Sequence, residues 1–190
     1  MKKLFLVGAL ALFGAMNAQV KYGAKAGLNI ATLNGDEEGL KSLVGFHVGG
    51  FAQIPLAAKF TFQPEVVYSA QGAKEDGGNG KWNLGYINVP LMFKYQVANK
   101  FSLEAGPYIG FLTSAKLKFD VEGLGSDTVD MKDDVKSTDF GIGVGMNYEF
   151  SDVIFANARY QGGLTEIGDS EAGGNSVKNS VFQIGLGFRF

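Results

Sequence analysis

Hydrophobic and polar residues alternate one by one along most of this chain. Between residues 139 and 150 the even positions are Phe140, Ile142, Val144, Met146, Tyr148 and Phe150, while the odd positions are Asp139, Gly141, Gly143, Gly145, Asn147 and Glu149. A period of two sends successive side chains to opposite faces, so this stretch is a strand with one greasy face. A slip of one residue would turn two carboxylates onto that face, which makes the register strongly specified. The segment VFQIGLGFRF at 181–190 behaves alike, with Phe182, Ile184, Leu186, Phe188 and Phe190 on one side. So does 82–97, where Ile87, Val89, Leu91, Phe93, Tyr95 and Val97 oppose Asn88, Lys94 and Gln96. Residues 20–31 follow the pattern more weakly.

The alternation predicts eight strands near 20–31, 44–55, 59–72, 82–97, 100–119, 137–150, 153–166 and 178–190. No amphipathic helix stands between them to cover the apolar faces, so the predicted cover is lipid. The intervening gaps of 12, 3, 9, 2, 17, 2 and 11 residues alternate long and short. Membrane barrels have short periplasmic turns and longer outer loops. The expected fold is therefore all-β, an eight-stranded antiparallel up-and-down transmembrane β-barrel. Segments of this length exceed the roughly 9 to 11 residues that cross the hydrocarbon, so several strands should project beyond it. Aromatics near the short turns, such as Phe60, Tyr95, Tyr148 and Phe188, and others nearer the long loops, such as Tyr68 and Phe182, suggest two interfacial belts. Pro64, Pro90 and Pro107 fall inside strands, and because proline cannot donate to a ladder, bulges or widened pairing are expected there.

Composition narrows the picture further. There is no cysteine among the 190 residues, which excludes disulfides, thiolate metal sites and an N-terminal lipidated cysteine. Residues 1–18 combine Lys2 and Lys3, an apolar run from Leu4 to Met16 and small residues after it, as a signal peptide does. Residues 19–190 then form the barrel domain. Loss of the two lysines takes the formal charge from -2 to -4, so no nucleic-acid partner is expected.

Several stretches carry a family resemblance. QPEVVYSAQG at 63–72, YINVPLMFKY at 86–95, LEAGPYIGFL at 103–112 and ARYQGGLTEI at 158–167, with GFHVGGFAQIPL at 45–56, resemble the PorT-like outer-membrane β-barrel family. The small barrels of the OmpA and OmpX type are similar in architecture without sharing these motifs. The resemblance implies an integral protein in the outer membrane of a Gram-negative envelope, exported by its signal peptide. Phe182, Ile184, Leu186, Phe188 and the terminal Phe190 also resemble the C-terminal signal that the barrel-assembly machinery reads. Lipid and that machinery are the partners implied.

Candidate chemistry is sparse. His47, Glu65 and Ser69 share the inward face and hold the residue types of a hydrolytic relay, yet an ordinary hydrogen-bonded histidine explains His47 better. GIGVG at 141–145 alternates with outward residues and precedes no helix, so it is not a phosphate loop. The acidic stretch 120–136 reads as a solvated loop in preference to a metal site, lacking the spacing of a calcium loop. No catalytic residue, cofactor or metal is assigned. The inward face carries the more informative set, Lys25, Glu65, Lys94, Glu104 and Arg159, of both signs at mid-height. An eight-stranded barrel is barely wider than its own side chains, so these groups should pair across it. Lumen glycines such as Gly27, Gly49, Gly143 and Gly185 should leave room for water, and the net acidic long loops should give any path an acidic mouth. The leading functional expectation is a non-enzymatic barrel that anchors exposed loops for binding or envelope organisation. A narrow porin-like channel and an accessory of protein secretion across the outer membrane are the alternatives.

Overall fold

A computed structural model of the chain describes residues 20–35, 39–76, 80–121, 125–168 and 177–190. The expected signal peptide, residues 1–18, lies outside the described residues. Nine strands form: β1 (Lys21–Gly35), β2 (Leu40–Ala57), β3 (Phe60–Glu75), β4 (Gly80–Ala98), β5 (Phe101–Val121), β6 (Gly125–Asp130), β7 (Thr138–Glu149), β8 (Ile154–Gly163) and β9 (Val177–Arg189). Eight of them pair antiparallel in the closed order β1, β2, β3, β4, β5, β7, β8, β9, and β9 returns to β1 over Gly23–Gly35. Closure leaves these strands no free edge within the membrane-sized band. β6 stands outside the ring and pairs with the upper end of β5 alone.

The two faces sort as the alternation requires. Val144, Phe93 and Leu186 are about half exposed, at 50%, 52% and 58%, on a wall that would meet hydrocarbon. Phe60 pairs with Tyr95 at 4.7 Å between ring centroids and Phe62 with Phe93 at 5.0 Å, both directly cross-strand near the short turns. Phe46 and Tyr68, diagonal neighbours because Tyr68 stands opposite Val48, lie 5.7 Å apart nearer the other end. Such cross-strand aromatic pairs are a principal unit of sheet stabilisation.

Two expectations are corrected and a third is met in part. The long connections expected at 32–43 and 73–81 are in large part strand, because β1, β2, β3 and β4 continue as paired ladder above the apolar belt, out to Gly35↔Val177, Leu40↔Glu75 and Gly80↔Phe119. Strand pairing there satisfies backbone groups that a loop would leave to water. The stretch 120–136 is not simply a loop, since residues 125–130 add a strand to β5 and a short 3-10 turn follows at Lys132–Asp134. The prolines at 64, 90 and 107 meet the expectation in part: none causes a register shift, but pairing widens beside them, where the ladders skip from Pro64↔Leu91 to Val67↔Asn88 and from Pro90↔Tyr108 to Phe93↔Ala105. The true register shifts lie elsewhere, in β2 between Ser42 and His47, after Pro55, between Gly85 and Tyr86, and near Gln96.

Candidate functional site

The interior is the candidate site, and it is built in storeys. Near the short turns Phe51 and Phe155 meet edge to face at 5.5 Å. A Cβ on Gly23 would lie 2.3 Å from the Phe51 ring and one on Gly187 would lie 2.2 Å from the Phe155 ring, so these strands need glycine to admit the aromatics. Phe155 is held between two cations, with Lys94 Nζ 4.9 Å and Arg189 Cζ 4.7 Å from its centroid, a favourable arrangement for a desolvated ring. Arg189 also ion-pairs with Glu149.

Above this floor the five inward charges, Lys25 on β1, Glu65 on β3, Lys94 on β4, Glu104 on β5 and Arg159 on β8, meet in one cluster. Arg159 is the hub. Its Nη1 and Nη2 donate to Glu65 at 2.9 and 2.6 Å, and its Nε donates to Glu104 Oε1 at 2.6 Å. Lys25 Nζ lies 3.1 Å from Glu65 and Lys94 Nζ 3.5 Å from Glu104. Amides occupy the remaining lone pairs: Gln63 donates to Glu65 at 2.6 Å, and Asn147 and Asn157 to Glu104 at 2.8 and 3.0 Å. Every member is at least nine-tenths buried. Burial of charge is tolerable only with such complete pairing, and bidentate Arg–carboxylate geometry is the strongest form of it.

The next storey centres on Asn29. His47 Nδ1 and Gln183 Nε2 donate to Asn29 Oδ1 at 2.8 and 3.1 Å, while Asn29 Nδ2 donates to Ser69 Oγ, Phe46 O and Ala70 O. An amide oxygen only accepts, so His47 Nδ1 carries a proton. His47 faces Ser69 across β2 and β3, but its bond goes to Asn29 and Glu65 is engaged by Arg159, so the three do not form a relay. The glycines expected to hold water are largely filled by neighbours. A Cβ on Gly27 would come within 2.7 Å of the His47 ring and one on Gly185 within 2.9 Å of His47 Nε2, while Gly49 abuts the β3 backbone.

Higher still, Tyr108 Oη and Asn179 Nδ2 donate to Asp139 Oδ2 at 3.1 and 3.0 Å. Here polar atoms are left over: Asp139 Oδ1, both amide atoms of Asn88, Tyr86 Oη and Gln161 Oε1 are buried without a partner. Gly110 lies between Asn88 and Asp139 in register, and a Cβ there would come within 2.6 Å of Asn88 Oδ1, so the glycine makes room for that amide. A cluster of apolar side chains closes the storey from above: Leu33, Ala73, Leu84, Leu112, Ala115, Ile167 and Val177, with Met131, Val135 and Leu40 packed on it. Below the long loops, whose expected acidic mouth falls partly outside the described residues, the barrel thus holds an apolar lid. Sequence alternation missed it because the β4–β5 register shift falls at Thr113 of β5, so Leu112 and then Ala115 and Leu117 all turn inward.

The sequence profile of a family described as outer membrane protein beta-barrel domain matches residues 16–169. No curated protein matches the chain. Among solved structures, that of Ail, the attachment invasion locus protein of Yersinia pestis, is similar at 16% identity over 90% of this chain and 98% of its own, with a TM-score of 0.57. Neisserial surface protein A is similar at 13% identity over 89% of this chain and 97% of its own, also with a TM-score of 0.57. At these identities the likeness is one of fold.

Proposed function

The chain belongs to the outer membrane protein beta-barrel domain family and is integral to the outer membrane, and from that premise we propose that it is a non-conducting, non-enzymatic anchor. Its membrane barrel holds up an extension of paired strands, with β6 added at the side, as a surface for binding or for organising the envelope. The observation that carries this reading is the filled interior. Among the described residues, aromatic floor, charge cluster, amide storey and apolar lid occupy successive levels of the barrel, and an apolar layer of this kind opposes ion passage by dewetting.

The sequence motifs at 63–72, 86–95, 103–112 and 158–167 support a finer placement among PorT-like barrels, and with it the alternative of an accessory role in secretion. The rival reading, a narrow porin, requires a wet path through the lid. Planar-bilayer recording of the refolded protein separates the two. Negligible conductance is expected, and large, steady, cation-selective steps would overturn the anchor in favour of the porin. For the secretion role, deletion of the protein should leave secreted proteins stranded in the periplasm, and normal export would dismiss it.

A further inference from the structure

The outer wall of the barrel carries a feature that only strand register reveals. Lys41 on β2 lies opposite Lys74 on β3, Lys74 opposite Lys81 on β4, and Lys81 opposite Lys118 on β5. All are exposed, as is Lys116 two residues from Lys118 on the same face. Like charges directly opposite one another destabilise a sheet, so a row four strands wide is unfavourable unless anions lie against it. The protein neutralises part of the row itself. Lys41 pairs with Asp76, and Asp130 of β6 stands opposite Lys116 in register. Among the described residues Lys74, Lys116 and Lys118 form no ion pair.

Between this row and the apolar belt the wall is notched. Gly45, Ala70 and Gly85 line the notch with Val44 and Tyr68, and Lys116 sits on it as well. Its cause is the β2 register shift, where the ladder lacks partners between Ser42 and His47. Asn29 reaches from within to bind the freed carbonyls of Phe46 and Ala70 at 3.0 and 2.8 Å. A depression lined by Val44, Tyr68 and Ala70 beside the polar Asn83 and Ser114, at the upper margin of a lipid-facing wall and surmounted by cations, has the amphipathic profile of a lipid molecule. Cations at a membrane surface each contribute attraction to anionic headgroups.

The geometry points to a binding site on the β2–β5 wall for a phosphorylated outer-leaflet glycolipid, with an acyl chain in the notch and phosphate against Lys116 and the lysine row. This is independent of whether the lumen conducts. The single tryptophan, Trp82, adjoins Lys81 and supplies a reporter. The full-length barrel is placed in phosphatidylcholine nanodiscs, and energy transfer from Trp82 to dansyl-labelled lipid A is titrated against transfer to dansyl-labelled phosphatidylcholine.

Preference for lipid A is expected. The combined variant Lys74→Gln, Lys116→Gln, Lys118→Gln should raise the half-saturating lipid A concentration at least about tenfold, and the same three sites changed to Arg should retain binding. Ala70→Phe, which fills the notch without altering charge, should also weaken it. Equal transfer to both lipids in the wild type, or unchanged affinity in the glutamine variant, would overturn the proposal. Displacement by millimolar inorganic phosphate would also overturn it, by assigning the row to a free anion. Folding of each variant is checked by heat-modifiable gel mobility. Should the triple variant not fold, Lys116→Gln and a salt titration of the wild type decide the matter, since a charge-held lipid dissociates as salt rises.

Discussion

Removing Glu104 from the lumen should cost far more than removing Lys94, although the two are partners. The cluster holds three cations, Lys25, Lys94 and Arg159, against two carboxylates, Glu65 and Glu104. Glu104→Gln keeps the shape but raises the local surplus from one positive charge to two, and it replaces an acceptor of the 2.6 Å Arg159 bond and of two asparagine bonds. Breaking a buried pair by deleting one partner typically costs about 3 to 5 kcal/mol. Lys94→Met instead leaves equal numbers of each sign, and Glu104 keeps Arg159, Asn147 and Asn157. What is lost is a 3.5 Å ion pair, a 3.0 Å bond to Asn147 and a cation–π contact, against relief from burying a lysine, so a net cost of about 1 kcal/mol or less is expected. Urea titration of the barrel folded into lipid vesicles, followed by heat-modifiable mobility, measures both. A Lys94→Met variant as destabilised as Glu104→Gln would refute the reasoning, because it would mean that the cation surplus is not what the carboxylates answer.

Three further outcomes are expected. Val144→Arg, which places a charge on the lipid-facing wall of β7, should destabilise by roughly 2 to 4 kcal/mol in vesicles, and unchanged stability would mean the face is misassigned. Glu65→Ala with Glu104→Ala should not raise conductance by itself, because the lid still closes the barrel. Adding Leu84→Ser and Ile167→Ser should raise it, and conduction by the glutamate variant alone would show that the lid is no barrier. Phe190→Ser removes a side chain that is 79% exposed, so stability should barely move while the amount assembled in the outer membrane falls sharply. Wild-type levels of that variant in membrane fractions would count against an assembly role for the C-terminal strand.

Much of the fold was legible because side-chain parity is rigid within an unbroken strand. Phe140 to Tyr148 on β7 and Ile87 to Tyr95 on β4 sort without exception, and parity alone placed Lys25, Glu65, Lys94, Glu104 and Arg159 on one inner face. Parity fails wherever a ladder gains or loses a residue. Thr113 on β5 and the stretch from Ser42 to His47 on β2 shift the count, and with it the part of the apolar lid that Ala115 and Leu117 supply and the position of Lys41. The strand β6 was illegible for another reason. Its sequence, GSDTVD, has one large apolar residue and forms only because the edge of β5 lies beside it. Lumen glycines misled because a missing side chain reads as empty space in a sequence, whereas Gly23, Gly27 and Gly187 are the spaces that Phe51, His47 and Phe155 fill.

The hub at Arg159 has a consequence for how the barrel is made. Its two carboxylate partners sit on β3 and β5, and Glu65 precedes it by 94 residues, so no hairpin forming early can complete the cluster. Before β8 joins, Glu104 already faces Lys94 across the β4–β5 hairpin and Glu65 lies beside Lys25, so the open sheet carries two glutamates matched by two lysines. The arginine arrives last and ties the two halves of the network to each other. Its docking is therefore coupled to the approach of β8, and bonds that form so late slow unfolding more than they speed folding.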